Sequence, residues 1–412
     1  MSCSDCGVSP VNHSVEKFSA LLSDIERPFV YVARRLSSYS APVYTRCAPS
    51  LFKFLARTRL GTIVHEPDEQ TGRRARAIWN EAKHRGIDMW EFRLFGVSNE
   101  IFVATITKKQ KNTKTNFNKD DATKNVTKTT IIFEGLPRPR GHLPASVDWI
   151  DDKDIARKRL IHAGIPMARG GSAISWRKTK KMFNDIRRNV PNSPVIIKPS
   201  IGSRSRHTTV HINNIEDLLK AYVVAKQLSH RIIIEQELQG MVYRGTVIGG
   251  KVIGIRRKDP PHVIGDGIHS VTQLIATENT RPERQGPIYT KIPTAELVGK
   301  ILETIPRSGE VITLSDKTAI ALGGGSTDVT DITHPDIIAL LERLAVILKD
   351  SLVGADFIVA DITRPLADPV NIHSGIIECN SLPFIDVHLY PLHGKARNTT
   401  GALWDIVISS IF

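Results

Sequence analysis

The stretch Val195-Ile196-Ile197-Lys198-Pro199-Ser200-Ile201-Gly202-Ser203-Arg204-Ser205-Arg206-His207 joins a short apolar run, a lysine at its end and a turn of small and basic residues. β-Branched residues bounded by Pro199 and Gly202 read as a buried strand entering a turn. A lysine leaving such a strand, beside small residues and backbone amides, can hold nucleotide phosphates. Alone it would be an ordinary strand-end lysine, so its surroundings decide the reading.

Those surroundings alternate between helix and strand. Asp152–Ala163 reads as a helix ending at Gly164-Ile165-Pro166. Beyond the turn, Thr208–Ile212 reads as a strand. Asn214–Gln227 reads as a helix with an asparagine cap and the acids Glu216 and Asp217 in its first turn. Arg231–Glu235 is strand-like, and Gly249-Gly250 predicts a hairpin joining Tyr243–Ile248 to Lys251–Arg256. A long helix over His334–Lys349 precedes strands at Val353–Ala360 and Gly375–Asn380. On the N-terminal side, Ala75, Ile78, Trp79 and Ala82 recur at helical spacing within Gln70–Arg85. Strand-like runs follow at Ile87–Phe95, Glu100–Thr107 and Thr129–Phe133, which suggests a small α/β unit. Pro28–Leu36 and Leu51–Leu60 read as either strand or helix. Pro137, Pro139, Gly141 and Pro144 form a linker, with a boundary near residue 145. The expected division is an N-terminal domain over 1–145 and a second domain over 146–412.

Glu378 and Asn380 lie two apart on a strand and so share a face. A carboxylate and an amide oxygen there are suitable ligands for Mg²⁺. Asp356, on the neighbouring strand, completes the expected set in preference to Asp361, which falls on the opposite face of a regular strand. The other reading of such an acid is a buried carboxylate paired with an arginine. The glycine-rich stretches Gly265-Asp266-Gly267 and Gly323-Gly324-Gly325 allow close backbone approach to a ligand, but by themselves are ordinary turns.

The chain has 412 residues, 41% of them hydrophobic and 24% charged, which suits two or three packed domains and excludes a disordered chain. No apolar run is long enough to span a membrane, and the first residues lack the apolar core of a signal peptide. A cytoplasmic protein is therefore the expectation. Four cysteines make no disulfide framework, and the pair Cys3 and Cys6 is too few ligands for structural zinc. The net charge of +14 is spread out, and part of it lies in a Lys/Thr/Asn-rich segment over 108–130 that reads as a solvated loop. Such a distribution argues against nucleic-acid binding, while a site for an anionic nucleotide accounts for part of the surplus.

Taken in order, these residues resemble the ATP-grasp carboxylate–amine ligases, specifically the ATP-grasp half of cyanophycin synthetase and of bifunctional glutamate–cysteine ligase/glutathione synthetase. The matching stretches run from Asp152-Lys153 and Val195–Pro199 through Ile233-Ile234-Glu235, Gly240 and Tyr243-Arg244. They continue through Pro260–Gly267, Asn279–Arg284, Asp328–Asp331 and His334-Pro335, and close with Gly354-Ala355-Asp356, Glu378-Cys379-Asn380 and His388 to Arg397. The resemblance covers roughly 148–412. It implies an α/β (α+β) fold whose ATP-binding subdomain (about 146–240) and C-terminal subdomain (about 241–412) clasp ATP. It also implies amide-bond formation through an acylphosphate.

Carried over by position, Lys153 and Lys198 would contact ATP phosphates under a turn of Ser200, Gly202, Ser203, Arg204, Ser205 and Arg206. Glu235 and the backbone of Glu237-Leu238 would meet the adenine. Asp356, Glu378 and Asn380 would hold Mg²⁺, with Mn²⁺ as a substitute. Arg257 and Lys258 would stabilise charge at the reacting carboxyl, that of an amino acid or peptide substrate captured by an amine. The turn over 200–207 is poorer in glycine than the family's, Val242 stands where relatives carry an acid, and Ala319, Ala321 and Leu322 replace polar residues. A silent ATP-binding regulatory module is the alternative those changes raise. No stretch matches the Mur-ligase-like domain of cyanophycin synthetase or the glutamate–cysteine ligase half of the fusion, so a stand-alone ligase is expected. By analogy it would be a homo-oligomer.

Overall fold

The computed structural model describes residues 43–109, 126–140, 143, 150, 152–200, 207–294, 300–315, 318, 320 and 323–412. Three sheets of four or five strands organise these residues.

The first sheet follows helix α1 (43–57), which includes most of the ambiguous 51–60 segment. Its strands β1 (Gly61–Val64), β2 (Asp88–Leu94), β3 (Val97–Lys109) and β4 (Val126–Glu134) pair in that order, all antiparallel. Helix α2 (Arg73–His84) lies between β1 and β2 in sequence and buries Ala75, Ile78, Trp79 and Ala82, the spacing read from the sequence. The expected 108–130 loop is shorter than its composition suggested. Lys108 pairs with Thr127 and Lys109 with Val126, so both ends belong to strands. Thr127 and Lys128 are exposed, and Thr129 and Thr130 are half-buried as the strand enters the sheet. Residues 110–125 lie outside the described residues.

The second sheet contains β5 (Gly170–Ala173), β6 (Val195–Pro199), β7 (Thr209–Ile212) and β8 (Ile232–Gln236) in the order β5-β8-β6-β7. Helix α3 (Lys153–His162) precedes it, and α4 (Trp176–Asn189) and α5 (Ile215–Leu228) cross over within it. Val195, Ile197, Ile232 and Ile234 join Phe183, Ile186, Leu218 and Ala221 of the two crossover helices in one core. Strand alternation therefore turns Lys198 and Glu235 to the other face. Asn214 caps α5 by accepting from the Asp217 amide at 2.9 Å. Asn214→Ala is expected to lower stability by about 1 kcal/mol and Asn214→Ser to restore most of it, as read from urea midpoints.

The third sheet has the order β13-β10-β9-β14-β15, built from β9 (Met241–Ile248), β10 (Lys251–Asp259), β13 (Gly325–Asp328), β14 (Leu352–Val359) and β15 (Gly375–Asn380). Strands β11 (His262–Ile264) and β12 (Val311–Thr313) form a separate ribbon beside α6 (Val271–Thr280). Helix α7 (Pro335–Leu348) packs Ile337, Leu341 and Leu344 against Tyr243, Val247, Ile255, Val353, Ala355 and Phe357. Gly245 lies under this helix, where a Cβ would meet Leu341 at 2.7 Å. With the odd-numbered residues committed to α7, the even-numbered ones of β9, β10 and β14 line the opposite face.

The C-terminal helix α8 (Thr399–Ile411) closes the molecule back onto the first sheet. Trp404 is fully buried, packs edge-on to Phe133 at 5.6 Å and donates from Nε1 to the Ile78 carbonyl at 3.0 Å. Arg138 donates to Asp350, the Leu352 carbonyl and the Ser381 carbonyl, tying the segment after β4 to β14 and β15. The first core thus runs on through Ile248, Leu352 and Trp404.

Candidate active site

On the face of the third sheet away from α7, one register row crosses all five strands: Asp328, Arg256, Arg244, Asp356 and Glu378. Neighbours in such a row stand about 5 Å apart, close enough to interact. Asp356 is 5% exposed and accepts from Arg244 Nε and Nη2 and from Lys258 Nζ, the last two at 2.9 and 2.8 Å. Burial alone would push its carboxyl up, but Arg244 and Lys258 outweigh that and hold it below the usual carboxylate range. Burial in turn lowers the Lys258 ammonium. Glu378, half-buried, lies 3.6 Å from Lys153 Nζ. At the other end of the row, Arg397 donates from Nη2 to Asp328 and Asp331 at 2.6 and 2.8 Å.

His388 overhangs the same face, and its Nε2 is hydrogen-bonded to Thr246 Oγ1 at 2.8 Å. Gly254 makes room for it, since a Cβ there would sit 2.7 Å from the ring. Burial, with Arg256, Arg244 and Arg397 nearby, depresses the His388 pKa far enough to keep the imidazole neutral.

A second cluster lies on the second sheet. Glu235 is 6% exposed and accepts from Lys198 Nζ at 2.7 Å and Arg157 Nη1 at 2.6 Å. Lys198 and Glu235 come from adjacent strands β6 and β8, while Arg157 reaches across from α3. Lys153 is the first residue of the same helix. The two sheets meet where the Ile376 amide donates to the Pro166 carbonyl at 2.9 Å and where Gly240 passes against Val359. Gly240 has φ of +124°, and a Cβ would lie 2.3 Å from the Val359 carbonyl oxygen. Only glycine fits this crossing.

The expected residues divide as follows. Lys153 meets Glu378, and Asp356 and Lys258 meet each other. Lys198 stands with Glu235, so that carboxylate is engaged by two cations. Ser200 is buried and bonded through Oγ to Ser229 Oγ at 3.1 Å. Glu237 accepts from the His211 amide at 2.8 Å and Leu238 follows it half-buried. Gly202, Ser203, Arg204, Ser205 and Arg206 lie outside the described residues, as do Ala319, Ala321 and Leu322. Arg257 points to the opposite face of β10 from Lys258 and pairs there with Asp259 at 2.5 Å.

Sequence reading named Arg257 and Lys258 together, yet adjacent strand residues cannot share a face. The inward partner of Lys258 is Arg256, which was missed. Period-two alternation along Gly254, Arg256 and Lys258 was the available signal. Arg157 and the role of Arg244 toward Asp356 were missed as well. Both depend on contacts between distant segments.

For a divalent cation, the oxygen-only set of Glu378, Asn380 and Asp356 has the chemistry Mg²⁺ takes. Asn380 shares a face with Glu378, and its Nδ2 lies 3.5 Å from the Gly354 carbonyl. Asp356 differs from the other two in having both oxygens occupied by Arg244 and Lys258. Among the described residues no group of three or more His, Cys, Asp or Glu side chains is arranged around one point. Glu378 and Asn380 therefore fit the ion, while Asp356 would have to exchange a cation contact to join them.

Comparison with known proteins bears on the fold that carries these residues. The chain is 29% identical over 357 residues to cyanophycin synthetase of Trichormus variabilis, covering 82% of this chain and 35% of that protein. It is 31% identical over 276 residues to cyanophycin synthetase of Synechocystis, covering 64% of this chain and 31% of that one. A solved bifunctional glutathione synthetase from Pasteurella multocida superimposes with a TM-score of 0.58 at 22% identity, covering 82% of this chain and 43% of that chain. The chain has the ATP-grasp fold. No protein-family model matches it. It spans about a third of the length of the curated relatives it matches. The 82% coverage exceeds the 148–412 stretch matched by motif, so the likeness to the Trichormus and Pasteurella proteins reaches into the N-terminal part as well. Among the described residues no helix is long and apolar enough to cross a membrane.

Proposed function

We propose that this chain is an ATP- and Mg²⁺-dependent carboxylate–amine ligase, joining an amino-acid or peptide carboxylate to an amine through an acylphosphate. The observation that carries the reading is the meeting of Lys153 at the start of α3 with Glu378 on the third sheet, beside the Lys198–Glu235 pair and the Asp356 cluster. Lys153 and Lys198 are placed to bind phosphate oxygens. Arg244 and Lys258 supply positive charge where an acyl oxyanion would develop. Glu378 and Asn380 would hold Mg²⁺, which would supply neutralisation of phosphate charge. Mn²⁺ substitutes for it in this reading. Buried, neutral His388 orients the floor of the site through Thr246. The chain is read as cytoplasmic, self-associating and divided near residue 145, with no nucleic-acid partner.

The test is ADP and phosphate release from Mg·ATP across a panel of amino acids and dipeptides, singly and in pairs. Release that requires one acid and one amine together is the expected outcome. Mg·ATP that raises the melting temperature while ADP never appears, with any pair, would overturn turnover in favour of the silent regulatory module.

A further inference from the structure

Arg256 stands in the centre of the register row yet has no carboxylate of its own. It is 8% exposed, and its Nε and Nη1 are buried with no hydrogen-bond partner among the described residues. Each acid around it is engaged by another cation, through both carboxylate oxygens at Asp356 and Asp328 and through one at Asp386. Asp356 is held by Arg244 and Lys258, and Asp328, directly opposite Arg256 in register, is held by Arg397. Buried Asp386 is engaged through Oδ2 by Arg73, and its Oδ1, buried without a hydrogen-bond partner among the described residues, lends Arg256 charge but no hydrogen bond. Burial, then the neighbouring Arg244, pulls the Arg256 guanidinium down to about 10, which leaves it charged at neutral pH.

A buried guanidinium without a counter-ion costs stability. Retained at the floor of a substrate site, it is a prepared receptor for an anion, and its planar fork favours a bidentate oxyanion. Its position says which anion. Arg256 lies three strands from Glu378, about 14 Å at the usual spacing between strands. A group seated on it is therefore distinct from one at Glu378 and Asn380. We propose that Arg256 receives a second carboxylate of the acid substrate, one that is not activated, so that the site selects substrates with two carboxylates. The proposal rests on the ligase reading for the identity of the ligand, and on the vacant guanidinium for the existence of the site.

The test uses the full chain with succinate, butyrate and Mg·AMPPNP as probes, in separate thermal-shift and calorimetric titrations at matched ionic strength. Wild-type protein is expected to bind succinate at least tenfold more tightly than butyrate. Arg256→Gln should weaken succinate roughly 10- to 100-fold, the worth of a charge-assisted contact, while leaving the Mg·AMPPNP response intact. Arg256→Lys should recover part of the loss. Equal binding of the two acids by the wild type, or undiminished succinate binding by Arg256→Gln, overturns the proposal. Succinate selectivity without any Mg·AMPPNP response supports the anion site and overturns the nucleotide reading instead. Arg256→Leu separates a receptor from a structural arginine. With no ligand it should raise the melting temperature, and a fall would show that Arg256 serves an internal partner and overturn the proposal.

Discussion

Glu378→Ala abolishes ATP turnover while the protein melts close to the wild-type temperature: that is the expected result with the largest effect. Its carboxylate is half-buried and its one ion pair among the described residues, with Lys153, is 3.6 Å long. An ion pair of that kind contributes about 0–1 kcal/mol, so the fold survives its loss. The same carboxylate is the least encumbered acid on the row and the best candidate to hold Mg²⁺. Losing a metal that neutralises phosphate charge removes several kcal/mol of transition-state stabilisation, which corresponds to about 1,000-fold or more in rate. Lys198→Ala should behave similarly, because Arg157 remains to satisfy Glu235. Steady-state ADP release and a thermal melt on the same samples check both. Turnover within tenfold of wild type in either variant would remove that residue from the site, and a collapsed melt would show it to be structural.

How much of this was legible in the sequence follows from the range of the interactions. The strand at 195–199, the Asn214 cap, the hairpin about Gly249-Gly250 and the strand ending at Asn380 are encoded by local pattern, and each appears within one or two residues of its expected place, the hairpin strands alone running two or three residues further at their outer ends. The even-numbered polar face of β9 and β10 was also encoded, because period-two alternation fixes which residues share a side. It was not applied to Arg257 and Lys258, which were carried over together by position. What could not be read is who neutralises whom. Arg244 and Asp356 are joined only by strand register, Arg157 and Glu235 only by docking of α3, and Arg73 and Asp386 only by closure of the C-terminal segment onto α2. The merging of α8 with the first sheet is of the same kind. Trp404 reads as a helical apolar residue, and nothing near it names Ile78 or Phe133 as its neighbours.

Asp356→Ala should do the opposite of Glu378→Ala, costing the fold about 3–5 kcal/mol. The difference is burial and pairing. Removing Asp356 leaves Arg244 and Lys258 without a counter-ion, beside an Arg256 that already has none. Three largely buried cations on adjacent strands would then face one another. The sign of the pH dependence follows. Asp356 has its pKa held below that of an unfolded aspartate, which is about 3.9. Its contribution is therefore complete above that value and fades as pH falls toward the folded-state pKa. Wild-type stability should drop between about pH 5 and pH 3 more steeply than that of Asp356→Asn, which has no charge to lose. Guanidinium midpoints at pH 7 and at pH 3.5 for wild type, Asp356→Asn and Glu378→Ala decide the matter. Equal pH 7 midpoints for the Asp356 and Glu378 variants would mean that Asp356 is not the counter-ion on which the row depends. Parallel acid limbs for wild type and Asp356→Asn would mean that the cations around Asp356 are neutralised by another group.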